Sequence, residues 1–210
     1  MANLPGGPLG AALLLGAGAF LIGSIPFGLI VGKLAFKSDI RSAGSGNIGA
    51  ANALRTYGRT GGAAVLILDA LKGVAAVVLA RELFGSDAAL ATFAAFAAVA
   101  GHCYSLFLNF KGGKGVATWL GAVFALSWPV ALGFVAVWLA AVLPTRWASL
   151  GSLAATALSA LGLWLVTRDP GVGLWAAAAA GIIFLKHREN IGRLAAGREN
   201  KIGFGKASRA

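Results

Sequence analysis

Residues 115–143 read GVATWLGAVFALSWPVALGFVAVWLAAVL, an apolar run of 29 residues. As one helix it would be roughly 43 Å long at about 1.5 Å per residue. That is long for one crossing of a hydrocarbon layer about 30 Å thick, and short for two. The middle of the run decides the matter. Within LSWPV, Pro129 lacks a backbone N–H and disfavours helix at the residue before it. A break near Ser127 predicts two short helices, 115–127 and 129–143, tilted or joined by a re-entrant turn.

Outward from this run, further apolar stretches lie at 9–32, 63–83, 88–109, 147–167 and 171–186. The chain has 210 residues, 58% of them hydrophobic and 12% charged. That is too apolar for an ordinary soluble surface and predicts an all-α integral membrane protein with a single polytopic domain over 1–210. The lone cysteine, Cys103, has no internal disulfide partner. The N-terminal MANLPGGPLG lacks a basic n-region, so the first apolar run reads as a retained span and not as a cleaved signal peptide.

Charge arbitrates between six spans and seven. The net charge is +11, and no aromatic-plus-basic RNA or DNA motif accompanies it. Anionic headgroups are therefore the expected partner, not nucleic acid. With seven spans, the connections 33–62, 108–115 and 144–149 and the tail from 186 share one side and gather nearly all the arginines and lysines. Only Arg81 and Arg168 fall towards the other face, each beside an acid, Glu82 or Asp169. With six, the basic tail falls opposite the first two basic connections. The positive-inside rule selects seven transmembrane helices, N-terminus outside and C-terminus cytoplasmic. The three glycine- and charge-rich segments then share the cytoplasmic face and build one site there.

The first, GSGNIGAANALR, spans Gly44–Arg55. Its glycines permit close approach of backbone N–H groups to a ligand. Asn47 is placed to cap a short helix running through Arg55, on which Asn52 and Arg55, at i and i+3, share a face. Ser45, Asn47 and Arg55 would surround an anion near that helix start. A flexible loop with a positive-inside arginine explains the same residues.

The second segment is NFKGGKGVATWL, 109–120. It is half of a nucleotide-binding P-loop and fails the pattern, because Lys114 is followed by Gly115 where Ser or Thr would ligate magnesium. Gly112, Gly113 and Gly115 loosen the backbone, Lys111 and Lys114 bring charge, and a helix starting near Val116 points its positive end at the loop. Two lysines set among glycines favour a phosphate over simple snorkelling at a membrane boundary.

The third, HRENIGR, closes the last apolar run. His187 and Asn190 share a face at i, i+3, and Glu189 is spaced to pair with Arg193 at i, i+4. Basic residues favoured at a helix C-terminus are the competing explanation. Inside the membrane, His102 reads as a polar group bonded to a neighbouring helix. Asp69 and Lys72 read as a mutually neutralising pair, because either charge alone near mid-bilayer costs about 2.5–3.5 kcal/mol.

HEXXH, zinc-ligand and GXSXG patterns are absent from the sequence, as are the HX4D acyltransferase motif and the aspartate-rich signature of CDP-alcohol phosphotransferases. No metal or cofactor is expected. What remains is catalysis by positioning and charge stabilisation on phosphate-bearing substrates.

Taken together, GSIPFGLIVGK, GSGNIGAANALRTYGRTGG, LDALKG, GHCYSLFLNFKGGKGVAT and HRENIGRLAAGRENK resemble, in order and spacing from Gly23 to Lys201, the bacterial acylphosphate-dependent glycerol-3-phosphate acyltransferases, the PlsY family. That family has seven transmembrane helices and a cytoplasmic-side active site. The resemblance implies transfer of a fatty acyl group from acyl phosphate to the 1-hydroxyl of glycerol 3-phosphate, giving lysophosphatidic acid and phosphate, early in phospholipid biosynthesis. It also implies a multi-pass protein of the bacterial inner membrane, expected as a monomer. Carried over by position, it makes His187, Asn190, Ser45 and Lys114 catalytic and adds Asn47, Asn52, Arg55, Gly112 and Gly113 to substrate binding. It implies Lys114 and the 112–115 amides on one phosphate, Arg55 on the other, and either a substrate phosphate oxygen or His187 as base. Two positions depart from the pattern. Ala51 stands where the family usually has Thr, and Ser105 stands where it has Pro, which would let the third helix run further. The main alternative is a small anion or organophosphate transporter, since Asp69, Lys72 and His102 would suit a pathway. A scaffolding role leaves the lysine–glycine elbow unexplained.

Overall fold

The computed structural model describes residues 7–203. They form nine α-helices: α1 (Gly7–Ser24), α2 (Phe27–Ala35), α3 (Ala50–Phe84), α4 (Ala88–Cys103), α5 (Val116–Leu126), α6 (Trp128–Thr145), α7 (Ala148–Thr167), α8 (Pro170–Lys186) and α9 (Arg188–Ala195). Two short 3-10 turns, Ile40–Ser42 and Leu106–Leu108, complete the described elements.

Five helical segments are long and apolar enough to cross a membrane: Gly7–Ala35 with its break, α3, Ala88–Leu108, α6 and α7. A sixth appears if α8 and α9, bent by 64° at His187, count as one span. The 11-residue α5 reaches only about 16 Å. The break inside 115–143 is a single extended residue, Ser127 (φ −156°, ψ 101°), with Pro129 in the first turn of α6, where its missing N–H costs no helical bond.

Small residues set the packing. α4 is alanine-rich and runs through the centre of the bundle against α1, α3, α5 and α8. At its crossing with α1, a β-carbon on Gly23 would stand 2.1 Å from the Ala98 carbonyl oxygen, and one on Gly101 2.1 Å from that of Phe20. The α3–α5 crossing is equally close, with Gly73 against Thr118 and Gly121 against Ala70. In lipid, where helices gain no hydrophobic drive to associate, such backbone contact is what holds them. Trp119 is fully buried beside this crossing and donates its indole N–H to Ser159 of α7 at 3.0 Å.

Two local expectations are corrected. Asn47 does not cap the motif-one helix: Gly49 is its N-cap, and the Asn47 side chain accepts from the Gly49 amide at 2.9 Å, closing a tight turn ahead of it. The helix itself is short as expected: it runs through Arg55 and ends at a kink at Gly58 (φ 72°, ψ −165°), a conformation open to glycine, beyond which α3 continues to Phe84. Ser105 does not extend the third span. α4 stops at Cys103, and the Ser105 hydroxyl donates instead to the Ser24 carbonyl at 2.6 Å, binding this corner to the end of α1.

The buried charges behave as one unit. Lys72 meets Asp69 at 2.8 Å and donates to the Ile25 carbonyl at 3.0 Å, in the break that Pro26 opens between α1 and α2. His102 of α4 stands 3.6 Å from the Asp69 carboxylate of α3, a neighbour and not the hydrogen-bonded partner expected for it, since its Nδ1 makes no hydrogen bond among the described residues.

Candidate active site

The three chemistry-bearing segments converge although 132 residues separate Arg55 from His187 in sequence (187 − 55). A cavity of about 380 Å³ is lined by Ser45, Asn47, Asn52, Arg55, Lys114, His187 and Asn190. Its other wall is apolar, with Leu66 of α3, Leu120 of α5, and Val135, Trp138 and Leu139 of α6. Leu66, Val135 and Leu139 of this wall are exposed. Gly112 and Gly113 do not face this cavity. They line an adjoining cleft with Lys111, Lys186 and Arg188, and the two spaces share Ser45, Asn47 and Lys114.

Each segment is shaped by a local device. In motif one, Gly44 and Gly46 take positive φ, and the Asn52 side chain gathers the loop. Its amide nitrogen donates to the carbonyls of Ile40, Ala43 and Asn47, and its oxygen accepts from the Ser45 amide at 2.8 Å. Asn52 is therefore fully engaged with backbone and acts on the cavity through the loop. Arg55, one turn on, makes no hydrogen bond or ion pair with another described residue and presents its guanidinium to the cavity.

In the elbow, Gly115 (φ 84°) is the N-cap of α5. Gly113 donates its amide to the His102 carbonyl at 3.0 Å, which takes that amide out of the expected phosphate cradle. Lys114 donates to the Asn190 side-chain oxygen. Burial pushes its ammonium below the usual lysine range, the charges of Arg193 and Arg55 add to that push, and Glu199 and Glu189 oppose it.

In motif three, His187 sits at the corner between α8 and α9. Its Nδ1 lies 2.8 Å from the Ile183 carbonyl. A carbonyl only accepts, so Nδ1 carries the proton and Nε2 keeps its lone pair. Burial lowers the His187 pKa to about 4, the Lys114 charge adding to it and the Ile183 carbonyl opposing it. The imidazole is thus neutral at physiological pH.

The expected Glu189–Arg193 pair does not form. Arg193 donates to Glu199 at 2.9 Å, and Glu199 also accepts from the Asn190 amide at 2.6 Å. Glu199 is buried in a strap that returns after α9 and is pinned by a reciprocal clamp: the Ile202 amide donates to the Arg146 carbonyl at 2.8 Å, and Arg146 Nε donates to the Ile202 carbonyl at 3.0 Å. The sequence reading missed Glu199, and it missed Ser149 and Ser152 at the start of α7, both buried and lining the cavity. The Ser149 hydroxyl has no hydrogen-bond partner among the described residues. The available signal was the pair of serines at i, i+3 in an otherwise apolar run.

A helical bundle whose cavity is cationic on one side and apolar on the other fits a molecule with a charged head and an apolar tail. The chain belongs to the glycerol-3-phosphate acyltransferase family, whose model matches residues 13–197. It is 50% identical over 196 residues to the glycerol-3-phosphate acyltransferase of Jannaschia sp. (strain CCS1), covering 92% of this chain and 95% of that one. It is 50% identical over 194 residues to that of Rhodopseudomonas palustris (strain HaA2), with the same coverage. Two crystal structures of PlsY (YgiH), an integral membrane glycerol 3-phosphate acyltransferase, superpose on it. The glycerol 3-phosphate form gives a TM-score of 0.86 at 45% identity, and the lysophosphatidic acid form 0.84 at 44%, each covering 92% of this chain and 96% of the other.

Proposed function

We propose that this chain transfers a fatty acyl group from acyl phosphate to the 1-hydroxyl of glycerol 3-phosphate, releasing lysophosphatidic acid and inorganic phosphate. The observation that carries the reading, beside family membership, is the convergence of Ser45, Arg55, Lys114, His187 and Asn190 on one cavity with an aliphatic wall. Phosphates meet the cations, and the acyl tail lies along Leu66, Val135 and Leu139 without leaving an apolar environment. The transporter alternative loses its support, because the chain falls within a family of enzymes.

In this reading Lys114 holds one phosphate with help from Ser45 and the neighbouring serines of α7. Arg55 holds the other, where its planar fork suits two phosphate oxygens. His187 and Asn190 orient glycerol 3-phosphate, the unprotonated Nε2 accepting from a substrate hydroxyl. The 1-hydroxyl oxygen bonds to the acyl carbon, the carbon–oxygen bond to phosphate breaks, and the proton passes to a phosphate oxygen. A phosphate monoester, with a second pKa near 6, is a stronger base than an imidazole at about 4, so His187 positions and the phosphate accepts. Lys114 and Arg55 neutralise the charge that builds on the departing phosphate.

The topology that goes with this reading has seven membrane segments, counting α1–α2 as one and α5 and α6 as two. The N-terminus is outside and the C-terminus cytoplasmic, in a bacterial inner membrane, with the monomer as the working unit. The one-sided distribution of arginine and lysine supports it. Purified protein given acyl phosphate and labelled glycerol 3-phosphate is expected to form labelled lysophosphatidic acid. No product across several acyl-chain lengths overturns the function.

A further inference from the structure

One residue outside the cavity meets the elbow twice, once with its ring and once with its backbone carbonyl. His102, the penultimate residue of α4, is buried. Its carbonyl accepts the Gly113 amide, and Gly113 lies so close to the ring that a β-carbon there would stand 2.2 Å from Nε2. A β-carbon on Gly112 would stand 2.0 Å from the His102 carbonyl oxygen. Behind the ring, Nδ1 faces Asp69 at 3.6 Å, Asp69 holds Lys72 at 2.8 Å, and Lys72 reaches the Ile25 carbonyl at 3.0 Å. Asp69 itself lines the cavity. The trio thus ties α3, α4 and the α1–α2 break together, and its last member presses on the loop that carries Lys114.

A buried ion pair with a histidine beside it is an unfavourable way to fill space inside a membrane protein, where apolar side chains of similar volume pack without desolvation. What it supplies is direction. A glycine-rich loop is costly to order, and a shift of about 1 Å at a reacting group lowers rates on the order of a hundredfold. We propose that His102, packed between Asp69 and the elbow, is a positioning residue of the acyl transfer: its ring and carbonyl fix the height of the glycine–lysine elbow, so that Lys114 meets the substrate phosphate. The proposal rests on the reading of Lys114 as a phosphate-holding group.

Steady-state kinetics test it, with KM measured separately for acyl phosphate and glycerol 3-phosphate and the folded fraction measured alongside. His102→Asn keeps a polar side chain beside Asp69 and removes the ring edge from Gly113. Gly113→Ala drives a methyl into that edge and leaves the trio intact. Each is expected to raise KM for a phosphate substrate tenfold or more, with kcat per folded molecule falling less. Combining them gives the methyl room, so the pair is expected to be no worse than His102→Asn alone. Lys114→Ala with His102→Asn is expected to match Lys114→Ala alone, because both act through one ammonium. A raised KM in Lys114→Ala beside unchanged values in His102→Asn and Gly113→Ala overturns the positioning role and leaves the Lys114 reading standing. Wild-type KM in Lys114→Ala overturns that reading and this proposal with it. If His102→Asn does not fold, Gly113→Ala carries the test, and an unchanged KM there overturns the proposal.

Discussion

The Asn190 amide is held at 2.6 Å by the carboxylate of Glu199, and this contact fixes which way the amide faces. With its nitrogen committed to an acceptor, its oxygen is turned to Lys114. A residue nine positions further along the chain thereby sets the polarity that Asn190 shows to the cavity.

Replacing Glu199 by Gln is expected to unsettle that orientation. A neutral side-chain amide neither requires Asn190 to donate nor neutralises Arg193. Activity should fall by at least tenfold with a lowered melting temperature, since the substitution removes a buried carboxylate that accepts from both Asn190 and Arg193 and charge-assisted bonds of this kind are the strong ones. Turnover and thermal unfolding of the purified variant check both halves.

Lys114→Ala and Arg55→Ala are expected to lose at least a hundredfold in kcat/KM while keeping the wild-type melting temperature within a few degrees. Each removes a cation aimed at charge that grows in the transition state, a loss of order 3 kcal/mol in comparable sites. Lysophosphatidic acid formation at saturating and limiting substrate is the measurement.

Asn52→Leu should behave in the opposite way. Its side chain makes four hydrogen bonds to loop backbone, and losing them strands buried carbonyls at about 1–3 kcal/mol for each unsatisfied group. The melting temperature and the activity should drop together, whereas Arg55→Ala loses activity alone.

The buried His187 predicts a pH signature in stability. Its pKa is about 4 when folded and about 6.5 when unfolded. Between those values the unfolded chain binds a proton that the folded chain does not, so stability falls as pH falls from about 6.5 towards 4. At pH 5 the penalty approaches about 2 kcal/mol, from about 1.4 kcal/mol per unit. Melting curves in detergent at pH 7.5, 6 and 5 should show the wild type losing more than His187→Gln, which carries no such group.

Much of the cavity lining was legible in the sequence because it uses residue types unusual in a membrane: Lys114, Arg55, His187 and Asn190 stand out against an apolar background. Contacts between segments were not. Arg193 had Glu189 at the ideal helical spacing, and only tertiary folding brings the strap with Glu199 closer. The elbow glycines read as freedom, whereas Gly112 and Gly113 are there for closeness to His102. Pro129 marked the break at Ser127, and the short helix expected through Arg55, separate from the span at 63–83, left room for the kink at Gly58, although the local pattern does not single out that glycine from its neighbours.

The clamp between Arg146 and Ile202 has a consequence in time. Translation proceeds from the N-terminus, so every membrane helix of the described chain is synthesised before Glu199 and Ile202 leave the ribosome. The bundle can assemble around an unfinished site whose Asn190 has no fixed orientation. Docking of the strap on the α6–α7 corner therefore comes last in the order of synthesis, and a chain interrupted just short of it lacks the carboxylate that orients Asn190.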